Sequence, residues 1–349
     1  SISFSGNSSQ KRSLERYRRV SETMEIQLDP RLVEEAVVGE ITRQERNGDA
    51  GHFKEYHRRA DPLYELPLRK REAGFEQLHR TFFRSLGMEE VIIQTLEEFP
   101  LLQGVDQVGI GKARSESEEG ADLSREKPGE TRERRVIGVR FLPTLFLDLL
   151  GLRRMLRHEL MHISDMLDEA FLYQDERIGS SPHEEAFIID RYRVIWDIYI
   201  DSRLLRADRE TVSGREGRLW EFDRVYRKIS SSERSAAFEV LWEMEKMDHP
   251  WILRLAKDPT RVQDLAEKGF EEGETKGERK RVLLPGFPCP LCNFPTYVWT
   301  EDFGEELCEA VRGDYPKWGL EEGICERCAD LYRFRVEFRD QDPGVVNNL

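Results

Sequence analysis

The chain has 349 residues, of which 38% are hydrophobic and 35% charged, and its formal net charge is −14. That is apolar material enough for a real core, and length enough for two domains or one large domain with a small one attached. The negative balance repels phosphate backbones and anionic membranes, so nucleic acid is not the expected partner, and no run of 18 apolar residues offers a membrane span.

Residues 1–60 read as a polar N-terminal arm. Its local basic patch (Lys11, Arg12, Arg16, Arg18, Arg19) reads as a solvated face, and Ser1 to Gln10 lacks the apolar segment of a secretory signal. Residues 61–270 read as a mostly helical catalytic domain. Phe75, Leu78, Phe82, Phe83 and Leu86, then Val91, Ile92 and Leu96, recur at helical spacing, with Gly87 as a stop between two helices and Pro100 ending the second. From 103 to 135 Gly, Ser, Glu and Arg dominate, and the segment reads as a flexible loop. Val136 to Leu142 reads as a strand, and Pro143 opens a helical region with Gly151 a break inside it.

Ser181-Pro182-His183-Glu184 forms a capping box for a long helix reaching about Arg206, with Ile188, Tyr192, Ile195, Trp196 and Tyr199 as its apolar stripe. Further helices are expected near 215–229, 232–247 and 260–269. Lys268 to Arg281, dense in charge and Gly, reads as a linker into a separate module over 282–349.

Within the helical region stands His158-Glu159-Leu160-Met161-His162. Residues i and i+4 share a helix face, so two imidazoles at this spacing can reach one metal ion at about 2.0–2.1 Å. The residue after the first His points aside, where a carboxylate addresses water rather than metal. His158 and His162 are therefore the expected ligands and Glu159 the general base for attack on a carbonyl. The competing reading is two surface histidines flanking a glutamate on an ordinary amphipathic helix.

This pentapeptide resembles the motif of the zincin zinc metallopeptidases, over the active-site helix and the helix after it. The resemblance implies a small α+β catalytic domain whose edge strand aligns an extended peptide, with Val136 to Leu142 as the candidate strand. It also implies a third protein ligand. Asp197, with Asp201 one turn on, has the acid-x-x-x-Asp spacing of gluzincin-type members, although Asp stands where those families carry Glu. Asp201 would then orient a ligating imidazole. Asp168 fits the extended metzincin motif in its Asp-ending form, but Asp165 stands where a Gly is expected. Glu185, on the apolar side of its helix, is the third candidate, since a carboxylate there needs a partner.

Cys289-Pro290-Leu291-Cys292 and Cys325-Glu326-Arg327-Cys328 are two C-x-x-C pairs separated by 32 residues. Four thiolates close a tetrahedral shell with no open position, so this zinc is expected to be structural. A redox role would need one pair inside a βαβ unit, which is missing. The arrangement resembles a zinc ribbon, with short strands expected over Thr296 to Trp299 and Leu331 to Phe338. The acidic residues around it point to a protein partner, and Cys308 reads as a small buried apolar residue.

The expected fold is α+β and predominantly helical: a zincin-like catalytic domain plus a small β-rich C-terminal zinc ribbon. The expected function is zinc-dependent hydrolysis of a peptide or protein, with one catalytic and one structural Zn2+. Cysteines paired as ligands rather than as a disulfide framework point to a reducing, cytoplasmic setting. Two alternatives remain, a non-enzymatic zinc-stabilised scaffold or regulatory protein and a hydrolase of non-peptide amides.

Overall fold

A computed structural model describes residues 24–126, 134–175, 178–179, 182–268, 283, 286–316 and 318–339. The basic patch at 11–19, Ser181 of the expected capping box and most of the linker at 268–281 lie outside these residues. The chain divides into two compact units, Ser1–Tyr173 with Arg203–Val212, and Gln174–Ser202 with Ser213–Leu349. The architecture is α+β and predominantly helical, with a four-stranded mixed sheet and a two-stranded antiparallel one. Among the described residues no helix is long and apolar enough to cross a membrane.

The first unit opens with β1 (Glu25–Leu28), α1 (Pro30–Arg46) and α2 (Gly51–Tyr64), so residues 24–60 are core structure rather than a polar arm. Asp29 caps α1 by accepting from the Arg31 amide at 2.9 Å, and Pro30 supplies the preset φ of the first turn. Leu32, Val33, Ala36, Val37 and Ile41 form the buried stripe of α1, at about 1.5–3 kcal/mol for each large side chain. The abundant Arg and Glu that suggest an arm are the outer face of this amphipathic helix. Next come α3 (Leu68–Ser85) and α4 (Met88–Glu97), divided at Gly87, whose φ of 79° is open to glycine at no steric cost.

The segment expected to be a loop at 103–135 carries β2 (Gln107–Lys112) and β3 (Gly120–Glu126), and β4 (Arg134–Phe141) begins inside it. Residues 127–133 of that segment lie outside the described residues. Sheet order is β1-β2-β4-β3, with β1, β2 and β4 parallel and β3 antiparallel to β4. The register sets Ile26, Val108 and Ile137 in one row and Leu28, Ile110 and Val139 in the next, all buried. Such continuous apolar rows make β4 an interior strand. Among the described residues the edges are β1 and β3, not Val136 to Leu142, and the charged residues of β3 suit an edge.

From β4 the chain reaches α5 (Leu149–Leu167), capped by Asp148 and unbroken at Gly151. Leu152, Leu156, Leu160 and Ile163 bury one face of α5 in the core of this unit.

In the second unit α6 (Pro182–Arg206) is followed by α7 (Arg215–Val225), α8 (Ser231–Glu243), α9 (His249–Lys257) and α10 (Thr260–Lys268). The last turn of α6 belongs to the first unit. A full capping box stands at Ser230 and Glu233. Among its described residues the C-terminal module holds only two strands, the two-residue β5 (Phe287–Pro288) and β6 (Pro295–Thr296), together with α11 (Glu305–Asp314) and α12 (Glu326–Arg339). The module is thus not β-rich. Leu331 to Phe338 is helical, because Cys325, Cys328, Ala329 and Tyr332 fall at helical spacing and pack into the module's core.

Candidate functional site

α5 brings His158 and His162 to one face, with ring centroids 5.0 Å apart. His158 is 4% exposed and His162 is half-buried. The helix is tied down on both sides of the pair. Arg157 donates to both oxygens of Glu98, at 2.7 and 2.9 Å, and Arg203 to both oxygens of Asp165, at 2.9 and 2.6 Å. Burial acts to raise the Glu98 carboxyl, but the Arg157 fork outweighs it and holds Glu98 below the ordinary carboxylate range.

Glu159 projects toward the edge strand. Its Oε2 accepts from the Ala121 backbone amide at 2.8 Å. Gly120 precedes it at φ 146°, and a Cβ there would stand 3.4 Å from the same oxygen. The first unit thus provides a two-histidine face, and beside it a carboxylate held against a sheet edge.

Of the three third-ligand candidates, Asp197 lies on α6 in the second unit, whereas both imidazoles lie on α5 in the first. Asp168 ends α5 and caps the next turn, accepting from the Ala170 amide at 2.9 Å. Glu185 accepts from the Ile178 amide at 3.3 Å.

Sequence reading missed Arg218. It is 5% exposed, and its Nε donates to Asp201 at 2.6 Å. Its Nη1 donates to Asp197 at 3.3 Å and to Glu221 at 2.7 Å. Burial works against the Arg218 charge, but the charges of Asp197, Asp201 and Glu221 outweigh it and raise its pKa. Asp201, entirely buried, is thus neutralised by an arginine from α7. No local pattern marks Arg218; it meets Asp201 only through the packing of α7 on α6.

The four cysteines of the C-terminal module converge. All four sulfurs lie within 4.8 Å of one another, and the thiols are free. Cys289 Sγ lies 3.9 Å from Cys328 Sγ, and Cys292 Sγ 3.8 Å from Cys325 Sγ. A tetrahedral shell with metal–sulfur bonds of about 2.3 Å has edges of about 3.8 Å, so both pairs fit a shared ion such as zinc.

The backbone supports thiolate character at this cluster. The Cys325 amide points at Cys289 Sγ and the Cys328 amide at Cys325 Sγ, each at 3.4 Å. Burial pushes the Cys289 thiol up, but amide donors from Cys292, Cys325 and Leu291 bring it below its usual value. Burial raises Cys328, helped by neighbouring sulfurs. Cys325 and Cys328, held up by burial and by neighbouring sulfurs, are thiols whose ionisation a divalent cation would favour.

No protein-family profile, curated protein or solved structure matches this chain.

Proposed function

We propose that this chain is a zinc-dependent hydrolase of the zincin type, acting within peptide chains, with Glu159 as its general base. The observation that carries the reading is the Glu159 carboxylate, set against the head of the edge strand and one residue from a pair of imidazoles on the same helix. His158 and His162 would hold the catalytic zinc, with Asp197 proposed as the third ligand on the acid-x-x-x-Asp spacing it shares with Asp201. When bound, zinc supplies a Lewis acid that polarises a carbonyl and acidifies water.

The chain's own groups do the rest. Glu159 takes the proton from the attacking water and passes it to the leaving amine. The buried faces of α5 hold both imidazoles in place, and the Arg157–Glu98 and Arg203–Asp165 forks fix the helix that carries them. Arg218 binds Asp201 and shares Asp197, which orients that carboxylate and tempers its charge.

Cys289, Cys292, Cys325 and Cys328 would hold a second, structural zinc. The nearby Glu301, Asp302, Glu305 and Glu306 make a protein a better partner for this module than nucleic acid. Free thiols in such a cluster suit a reducing compartment such as the cytoplasm.

The contact between Arg218 and Asp197 favours a second reading, since it partly satisfies that carboxylate without metal. In that reading the chain is a zinc-stabilised scaffold. Glu159→Gln separates the two. The variant keeps its metal in both, but in a hydrolase it loses about 10²–10⁴-fold of the rate on a peptide library. A Glu159→Gln protein as active as the parent would remove the mechanism.

A further inference from the structure

We propose that the Gly120–Ala121 corner at the head of β3 is a positioning element for Glu159, fixing the carboxylate through a backbone donor. This rests on the reading of Glu159 as the base, although the corner itself can be tested without any substrate.

β3 pairs only with β4 among the described residues, in the register Gly120↔Arg140, Ala121↔Val139 and Asp122↔Gly138. In an antiparallel ladder successive residues turn their amides alternately toward and away from the partner strand. The Ala121 amide donates to Glu159 at 2.8 Å, so it faces away from β4, and Leu123 and Arg125 turn the same way. The Ala121 and Leu123 side chains pack against the core of the first unit, which locks the twist of the strand and so the direction of that amide.

A backbone amide suits this task. It has no rotamers and no titration of its own, whereas a glutamate side chain is flexible and loses about 1.5–2 kcal/mol of rotamer freedom when fixed. Gly120 makes the approach possible for two reasons. Its φ of 146° is one that side-chain-bearing residues rarely adopt, and an added Cβ would touch Glu159 Oε2 at 3.4 Å, leaving it no room to come closer.

The test is hydrogen exchange at the Ala121 amide in the full-length protein labelled with 15N-alanine. With Glu159 present this outward-facing amide should exchange about 10–100-fold more slowly than in Glu159→Ala, while other alanine amides keep their rates. Gly120→Ala should abolish the protection with zinc content unchanged.

If Gly120→Ala does not fold, Ala121→Pro removes the same donor from an outward position where proline is tolerated. It should retain zinc and lower kcat for hydrolysis with little change in KM, because the carboxylate has lost the donor that positions it. Equal Ala121 exchange in wild type and Glu159→Ala, or an unchanged kcat in Ala121→Pro, would overturn the proposal. Loss of protection in a protein that hydrolyses nothing would uphold the corner while removing the hydrolase reading.

Discussion

Arg218→Met isolates the buried charge cluster of the second unit. In the folded chain Asp201 is fully buried and Arg218 nearly so, joined by a 2.6 Å contact. Asp197 and Glu221 retain 22% and 30% side-chain exposure, so water screens their share and most of the effect comes from Asp201. Removing one partner of a buried pair strands the other, at a cost of about 3–5 kcal/mol. For a folding unit of roughly 150–250 residues this lowers Tm by about 6–20 °C. Methionine matches the length of the arginine stem, so little packing is lost with the charge.

Differential scanning calorimetry of Arg218→Met, Asp201→Asn and the double variant separates charge from packing. The double variant should recover most of the loss, because it strands no charge. An Arg218→Met protein within about 1 kcal/mol of wild type, or a double variant that loses the sum of both singles, would refute the reasoning.

Burial depresses the His79 pKa, and its Nε2 pairs with the Tyr56 hydroxyl at 2.9 Å. As pH falls past about 6.5 the unfolded chain takes up a proton that the folded chain does not, so stability is lost from there down to the lowered folded value. Urea unfolding at pH 7.5 and 5.5 should show this loss, and His79→Gln should reduce it; an unchanged difference would contradict the assignment. Cys328→Ser should lower zinc content by one ion per chain and open residues 286–339 to limited proteolysis, since a core of this size depends on its staple. Unchanged zinc and protease resistance would show that the sulfur cluster holds no metal. Glu98→Gln should destabilise the first unit near neutral pH and flatten its acid denaturation. The lowered Glu98 carboxyl stabilises only above its unfolded pKa of about 4.3, and the contribution is lost as pH falls through its folded value. Parallel acid-denaturation curves for variant and parent would argue against it.

What the sequence made legible was local. His158 and His162 reach one face because both lie on a well-capped helix, and Gly87 divides two helices where its positive φ requires it. The cysteine pairs meet as their spacing implied. What it hid depends on partners distant in sequence. β2 offers only Val108 and Ile110 among glycines and polar residues, and β3 only Ala121 and Leu123, so the alternation of a half-buried strand runs over just two apolar positions in each. Both are held by pairing to β4, whose own pattern is plain. α1 was obscured by its charged outer face, although Leu32, Val33, Ala36 and Val37 carried a helical period. α12 misled through its aromatic and branched residues, which favour strands until packing beside Cys328 decides for helix. At the site Asp197 and Asp201 could be seen, but Arg218 could not, because 17 residues separate it from Asp201.

Zinc stoichiometry of the purified protein bears most directly on the two imidazoles. Plasma emission spectrometry should find two zinc ions per wild-type chain and one in the His158→Ala/His162→Ala variant, with the sulfur-bound ion retained. One ion in both proteins would leave the histidine face without a metal and remove the basis for hydrolysis.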